Sequence, residues 1–240
     1  MHMFRHFAAA LVAFTWCIRN QQTFQISFRE SKRYWLKAIN LAICYQGFAS
    51  DRGIGVSFKA GKAGFFCCAY DVITDWRNFD PLLYQSFEKL AKQYLSTSEA
   101  QLALSLYQVE KQGLLAEDGL TRGTIALEFV TKIIGSESLI RQTTDFNRFG
   151  IVLQIVDDVL DIEDDKRERK MNSLFSKKRN QYLKDLIEFP VEQVKAILPD
   201  GSILWAVVTF AQQKARNILS QSPASEPLIN VNSSPDHNIA

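Results

Sequence analysis

An apolar run that ends in a cluster of like charges constrains the fold of this chain more than any other feature. Residues 149–156 are apolar apart from Gln154, and the nine residues that follow, 157–165, hold five of the fourteen aspartates. On a helix of 3.6 residues per turn, these aspartates and Gln154 cover roughly one third of the circumference, and aliphatic side chains cover most of the rest. The pattern predicts a helix that is buried on one side and strongly acidic on the other. A solvated polar face and a cation-binding face both fit it.

A second pair of aspartates lies in a more apolar setting. Between Lys62 and Arg77, the only charged residues are Asp71 and Asp75, and their i, i+4 spacing places both on one helix face, about 6 Å apart at Cβ. A helix that is apolar nearly all round is a buried helix, where unbalanced carboxylates are costly. A salt bridge with one arginine could balance them. A shared Mg²⁺ does so better, because it prefers oxygen ligands and also accepts water and phosphate.

Each acidic segment also carries a glycine seven residues before its first aspartate. These are Gly64 and Gly150, and seven residues correspond to two helical turns, or roughly 10 Å. Two interpretations stay open. The glycines could thin the lower wall of a cavity whose mouth the carboxylates surround, or each could simply allow two helices to approach closely.

The later acidic segment resembles a known motif. Residues 149–165, FGIVLQIVDDVLDIEDD, resemble the second aspartate-rich motif of the trans-isoprenyl diphosphate synthases, in which a glutamine precedes Asp-Asp-x-x-Asp on a core helix. The matching positions are Gln154, Asp157, Asp158 and Asp161.

The earlier pair resembles the first motif of the same helical superfamily. Residues 71–75, DVITD, are similar to its Asp-x-x-x-Asp form, found in squalene and phytoene synthases and in some terpene synthases. The separation of 86 residues from Asp71 to Asp157 resembles the superfamily's spacing. Residues 122–126, Arg-Gly-Thr-Ile-Ala, stand where many members have a kinked helix near the substrate. Together these features cover about half of the chain.

The resemblance implies a single all-α helical domain over residues 1–219 with a central active-site cavity. It also implies Mg²⁺ as the cofactor, usually as three ions, bound between the two motifs with the diphosphate of a prenyl substrate. Ions so placed neutralise the charge of a departing diphosphate, so that an allylic carbon–oxygen bond can break. The implied catalytic residues are Asp71, Asp75, Asp157, Asp158 and Asp161, and the implied metal ligands are these five and Asp165.

Basic and aromatic side chains near the motifs complete the implied substrate site. Ammonium and guanidinium groups hold phosphate oxygens directly, and aromatic rings stabilise a nearby carbocation without attacking it. The alternative for each basic residue is a solvated surface charge, and for most of the rings a place in the core. The candidate substrate-binding residues are Gln154, Arg122, Arg148, Lys166, Arg167, Lys170, Phe65, Tyr70 and Phe149.

The chain departs from the chain-elongating members of the superfamily. It has neither their early Gly-Gly-Lys-Arg segment nor an Arg-Arg pair after the first motif, where residues 76–81 read Trp-Arg-Asn-Phe-Asp-Pro. Without that second anion site, the resemblance favours a terpene synthase (cyclase) that acts on one linear prenyl diphosphate. The alternatives are a prenyltransferase, either chain-elongating or of the squalene and phytoene head-to-head type, and a non-catalytic helical subunit of a prenyl synthase.

Composition excludes several other classes of function. The net charge of +2 provides no field for nucleic acid. Histidines occur only at positions 2, 6 and 237, which removes most schemes based on histidine catalysis. The four cysteines lack metal-ligand spacing and are typical of small core residues in a reducing, cytoplasmic setting. The apolar stretch Phe7–Ile18 is too short to span a bilayer, so we expect a core helix and no stable membrane insertion. A homodimer is left open.

Helical signals run through most of the chain. A capping box at Ser27 and Glu30 predicts the start of one helix, Pro81 that of another, and the composition of residues 220–240 predicts a disordered tail. The predicted helices are Phe7–Ile18, a helix from Ser27 to Ala49, one carrying Asp71 after a loop at 51–61, Pro81–Leu95, one capped by Ser98 that ends near Leu115, Thr124–Ile134 after a turn at 116–121, Glu137–Lys170, Gln181–Ile187, Val191–Leu198 and Ser202–Leu219.

Overall fold

The computed structural model describes residues 2–49, 53–111, 121–168, 172–197 and 202–221, and within these ranges every regular element is helical. The all-α prediction is therefore confirmed for the described residues. Short 3₁₀ turns occupy Gln46–Phe48 and Ser173–Phe175, and a π-helical turn occupies Val72–Trp76. The α-helices are α1 (His2–Asn20), α2 (Phe28–Tyr45), α3 (Ile54–Asp71), α4 (Pro81–Tyr94), α5 (Thr97–Lys111), α6 (Thr121–Ile134), α7 (Glu137–Thr143), α8 (Phe146–Glu168), α9 (Arg179–Ile187), α10 (Val191–Ile197) and α11 (Ser202–Gln221).

The first three helices pack closely together, with α3 in contact with both α1 and α2. A Cβ on Gly61 would lie 2.8 Å from the carbonyl oxygen of Ala9, and one on Gly64 would lie 2.7 Å from that of Ala38. Helix backbones approach this closely only where a side chain is missing. The indole ring of Trp16 lies against Phe65, with ring centroids 5.2 Å apart, and closes the α1–α3 contact.

A second close contact joins α6 to α8. A Cβ on Gly150 would lie 2.5 Å from the Cα of Thr124, and one on Gly123 would lie 2.2 Å from the carbonyl oxygen of Gly150. Close helix approach therefore accounts for both Gly64 and Gly150. The alternative, in which these glycines thin a cavity wall, is wrong, because neighbouring backbone occupies the space beside each of them.

The predicted start signals of α2 and α4 are confirmed. The side chain of Ser27 accepts a hydrogen bond from the backbone N–H of Glu30, and Glu30 accepts one from the backbone N–H of Ser27. Asp80 caps α4 by accepting from two backbone N–H groups, and Pro81 occupies the first turn. Two of the free backbone donors at the start of each helix are satisfied in this way.

Several predicted boundaries are wrong, and α1 begins at His2 rather than at Phe7. Residues 54–61 form the start of α3 rather than part of a loop. The helix predicted over Glu137–Lys170 is interrupted at Thr144, whose backbone is extended, and Asp145 caps the new start at α8 by accepting from the Arg148 N–H. The cap of α5 is formed by Ser96 with Glu99, two residues before the predicted Ser98.

Some predictions fall where the structure gives no description. Residues 112–120, which include most of the predicted turn at 116–121, lie outside the described residues, as do 222–240 of the tail and Lys170. Within the described ranges, no helix is long and apolar enough to cross a membrane.

Candidate metal and diphosphate site

The first aspartate pair lies where α3 changes into the π-helical turn. Asp71 is the last residue of α3, and Asp75 follows in that turn. π-helical turns are rare and frequently occur at functional sites. The Oγ1 of Thr74 lies 3.1 Å from the carbonyl oxygen of Tyr70 and 3.3 Å from Oδ1 of Asp75. The side chain of Asp71 is 23% exposed, whereas Asp75 is exposed.

A lysine from α2 reaches the first pair. The Nζ of Lys37 lies 2.6 Å from Oδ2 of Asp71. Burial alone would lower the pKa of Lys37, but the carboxylates of Asp71, Asp157 and Asp75 raise it above its ordinary value. Asp157 belongs to α8, so the ammonium of Lys37 lies within the field of both aspartate motifs.

The second motif uses its residues in two different ways. Asp157 and Asp161 are exposed. Arg122 of α6 donates from Nε to Oε1 of Gln154 at 3.0 Å, and its Nη2 lies 4.0 Å from Oδ2 of Asp157. The glycine contact between α6 and α8 is what brings Arg122 this close to Gln154 and Asp157.

Asp158 is buried, and both of its oxygens accept hydrogen bonds from the chain itself. Its Oδ1 accepts from Nε2 of Gln154 at 3.0 Å. Its Oδ2 accepts from the backbone N–H of Ser173 at 3.1 Å and from the Ser173 hydroxyl. In this conformation Asp158 fastens the 3₁₀ turn at 173–175 to α8.

Asn172 forms further hydrogen bonds between α8 and the 3₁₀ turn at 173–175. Its Nδ2 group donates to the carbonyl oxygen of Asp158 at 2.7 Å and to Oδ2 of Asp165 at 2.9 Å. Its Oδ1 accepts from the backbone N–H of Leu174. Asp165 therefore supports the turn after α8.

The first aspartates of the two motifs, Asp71 and Asp157, interact with the same two basic side chains. Burial raises the pKa of Asp157 to about 7, and Asp158 and Asp161 add to this rise, while Arg122 and Lys37 oppose it. Burial also raises the pKa of Asp71, against the opposing charges of Lys37 and Arg122. The same two cations thus act on the first aspartate of each motif.

Asp157 is exposed to solvent although many protein atoms lie around it. Its side chain is 67% exposed, yet burial is the main cause of its raised pKa. A carboxylate can combine these properties when protein atoms surround it without covering it. Tyr45, whose pKa is raised by burial and also by Cys67, Asp71 and Asp157, belongs to the same region.

The three aromatic residues predicted to bind substrate lie in the hydrophobic core. Phe65 and Phe149 are fully buried, so neither ring can contact a ligand in this conformation. Phe65 packs in a ring cluster with Trp16, and Phe149 stacks on Phe189 with centroids 5.5 Å apart. The buried Tyr70 donates from its hydroxyl to the carbonyl oxygen of Leu106. All three contribute to the core.

Most of the predicted basic residues are also distant from the carboxylates. Arg148 and Lys166 are exposed, and each is nine residues from Asp157 on α8, which places it about 180° around the helix. Arg167 forms an exposed ion pair with Asp164. Arg122, in contrast, contacts two motif residues, Gln154 and Asp157.

Lys37 and Tyr45 are the site residues that sequence reasoning missed. A signal for Lys37 was present: α2 buries Tyr34 and Ala38, and a residue three positions after Tyr34 and next to Ala38 lies on the same side of the helix. A lysine on the buried side of an amphipathic helix needs an acidic partner.

The donor set suits Mg²⁺ in its chemistry. The candidate ligands are aspartate oxygens from two separate helical segments, and hard oxygen donors are what Mg²⁺ prefers. In the described part of the chain, no three His, Cys, Asp or Glu side chains already converge as a ready-made metal site. A metal ion at Oδ2 of Asp71 would take the place that the ammonium of Lys37 occupies, 2.6 Å away.

Comparisons with protein-family models, with curated proteins and with solved structures find no match to this chain.

Proposed function

We propose that this protein is a Mg²⁺-dependent class I terpene synthase that ionises a linear prenyl diphosphate and releases diphosphate. One observation carries the proposal: Asp71 and Asp157, on separate helices, each stand beside a cation, with Lys37 2.6 Å from Asp71 and Arg122 4.0 Å from Asp157. Each of these cations also acts on the other carboxylate. Carboxylates that act on common cations face a common space. A diphosphate can be bound in such a space only if divalent ions stand between it and the carboxylates.

The charge of the region supports this interpretation over a structural salt-bridge cluster. Two cations, Lys37 and Arg122, act on Asp71 and Asp157, whose pKa values are raised mainly by burial. Asp75 adds further negative charge beside Asp71, and Asp161 adds more beside Asp157. A cluster built only for stability would not accumulate so many carboxylates.

The residues take separate roles in this proposal. Asp71, Asp75, Asp157 and Asp161 would hold Mg²⁺, which when bound would neutralise the charge that develops on the departing diphosphate. Arg122, oriented by Gln154, would donate to phosphate oxygens. Asp158 and Asp165 would keep the end of α8 in place through Ser173 and Asn172, by their hydrogen bonds to that turn.

The apolar helices that carry the motifs would bind the hydrocarbon chain. We propose that the space between Asp71 and Asp157 opens into a central cavity, with Tyr45 and Cys67 near it. An aromatic ring beside the reacting carbon stabilises positive charge, and apolar walls exclude the water that would otherwise capture the cation.

The test uses the purified full chain with Mg²⁺ and geranyl, farnesyl or geranylgeranyl diphosphate. We expect release of diphosphate together with a hydrocarbon or alcohol, detected by gas chromatography and mass spectrometry, without isopentenyl diphosphate. Asp71→Asn and Asp157→Asn should each abolish the product. Glu163→Gln, an exposed change on α8, is the matched control and should keep full turnover.

Each other result assigns a different function. Turnover that requires isopentenyl diphosphate would identify a chain-elongating prenyltransferase, and a doubled hydrocarbon from two identical substrates would identify head-to-head coupling. Binding of Mg²⁺ and diphosphate without any product would point to a non-catalytic subunit. Equal turnover in Asp71→Asn, Asp157→Asn and the unaltered protein would eliminate the proposed site.

A further inference from the structure

The ion pair between Lys37 and Asp71 joins a helix outside both motifs to the first motif. The Nζ–Oδ2 distance is 2.6 Å, and the two side chains are 35% and 23% exposed. The pair is therefore more than half shielded from water, so it is screened less than a surface ion pair.

The backbone that carries Lys37 is fixed. Gly64 of α3 lies against the backbone of Ala38 and Ala42, and the Sγ of Cys68 donates to the carbonyl oxygen of Tyr34 at 3.4 Å. These contacts flank Lys37 on both sides along α2. The ammonium thus reaches Asp71 from a rigid base, and only its side chain is free to change direction.

An ammonium this close to a carboxylate competes with a metal ion. Mg²⁺ binds carboxylate oxygen at about 2.0–2.1 Å, so Lys37 and Mg²⁺ cannot both occupy the same side of Asp71 Oδ2. Displaced from Asp71 alone, Lys37 would have its charge in a partly shielded place without a close partner, which is unfavourable. A diphosphate oxygen would supply the missing partner.

We propose that Lys37 is the internal counter-ion of Asp71 when no ligand is bound, and that its ammonium moves from Asp71 to a diphosphate oxygen when a divalent ion binds Asp71. This inference rests on the proposed function. The four-carbon stem of lysine and its three rotatable N–H donors allow such a move without any shift of α2. Lys37 therefore opposes the binding of a metal ion alone and favours the binding of metal and diphosphate together.

The experiment measures two affinities of the full chain, with Mn²⁺ alone and with diphosphate at saturating Mg²⁺. Mn²⁺ binding is followed by the loss of the free-ion signal in electron paramagnetic resonance, and diphosphate binding by calorimetry. In Lys37→Met, we expect Mn²⁺ alone to bind about tenfold more tightly and Mg²⁺–diphosphate about tenfold more weakly, a size typical of coupling between two bound ligands. Lys32→Met, an exposed change on the same helix, should alter neither affinity.

Opposite changes in the two affinities are the signature of this role. A residue that only supports the fold would weaken both, so unchanged affinities in Lys37→Met, or two changes of the same sign, would overturn the proposal while the proposed function stands. If neither the unaltered protein nor Lys37→Met binds Mn²⁺ or Mg²⁺–diphosphate, both proposals fail.

A second comparison covers the case in which Lys37→Met does not fold because Asp71 loses its partner. The double variant Lys37→Met/Asp71→Asn removes both charges and is compared with Asp71→Asn alone. The double variant should bind Mg²⁺–diphosphate about tenfold more weakly than Asp71→Asn. Equal affinities would show that Lys37 makes no contact with the anion.

Discussion

The backbones of Gly123 and Gly150 meet where α6 crosses α8, so closely that a Cβ on Gly123 would lie 2.2 Å from the carbonyl oxygen of Gly150. Arg122 stands one residue before this contact, and Gln154 lies one turn after it on α8. The crossing point therefore sets the distance from the guanidinium of Arg122 to Asp157.

Gly123→Ala should push α6 and α8 apart. We expect a loss of about 3 kcal/mol in the free energy of unfolding. The added methyl group would clash with the backbone of α8, which can shift only if the helix itself moves. Urea unfolding followed by circular dichroism measures the loss. The control is Gly55→Ala in α3, where a Cβ would have nothing within 4 Å, and which should be neutral or slightly stabilising. Equal effects of the two changes would contradict the close contact.

Asp157→Asn should stabilise the metal-free protein at neutral pH. The pKa of Asp157 is raised to about 7 from a usual value of 3.8, so the folded state holds a proton that the unfolded state releases, and folding loses stability as pH rises from about 4 to 7. Asparagine does not ionise, so the variant does not lose this stability as the pH rises. Because the side chain is 67% exposed, solvent screening keeps the gain to about 1 kcal/mol or less.

Thermal unfolding in chelator checks this prediction at two pH values. The variant should exceed the unaltered protein in melting temperature at pH 7.5 and match it at pH 3.5, where Asp157 is protonated. A gain that persists unchanged at pH 3.5 would show that the carboxylate charge is not its cause.

Glu30→Gln should cost stability at neutral pH and much less in acid. Hydrogen bonds from Arg77 and Ser27 lower the pKa of Glu30 to about 2 from a usual value of 4.5. The carboxylate therefore contributes stability that is fully present above pH 4.5 and is lost as pH falls toward 2. With Glu30 33% exposed, we expect a loss of about 1 kcal/mol at pH 7, measured by urea unfolding, and a smaller difference at pH 3.

Asp158→Asn should destabilise the protein even without metal. An amide in place of this buried carboxylate would lose part of the hydrogen bonding to Ser173 and Gln154, at a cost of about 2 kcal/mol. Glu163→Gln, on the exposed side of α8, is the matched change and should leave the metal-free stability nearly unaltered. Unfolding of both variants in chelator measures the difference, and equal losses would contradict the structural role of Asp158.

Local signals in the sequence predicted local features well. The capping box of Ser27 and Glu30 and the proline at position 81 are signals that lie within a few residues of the helix start, and the starts of α2 and α4 are confirmed. The break at Thr144 was missed because the helical period continues through it, while the side chain of Asp145 offers a new cap that a period count does not register.

The site was only partly predictable, because its charges come from different helices. The pairing of Lys37 with Asp71 spans 34 residues and depends on how α2 packs on α3, which no spacing rule contains. Lys166 was proposed because it directly follows the second motif, and Arg148 because it lies between the two motifs, although nine positions from Asp157 on a helix turn each side chain to the far side. Phe149 was chosen for its ring, whose partner Phe189 only the packing reveals.

The hydrogen bonds from Ser173 and Asn172 to α8 restrict the rotation of this helix. The 3₁₀ turn at 173–175 also packs against α9, and α9 packs against α11. Since Asp158 is the immediate neighbour of Asp157, any rolling of α8 about its own axis that re-aimed Asp157 would have to drag this whole carboxy-terminal group of helices with it. The backbone of the second motif is therefore held in place. When an anion binds, the side chains that can change position are flexible ones such as Lys37.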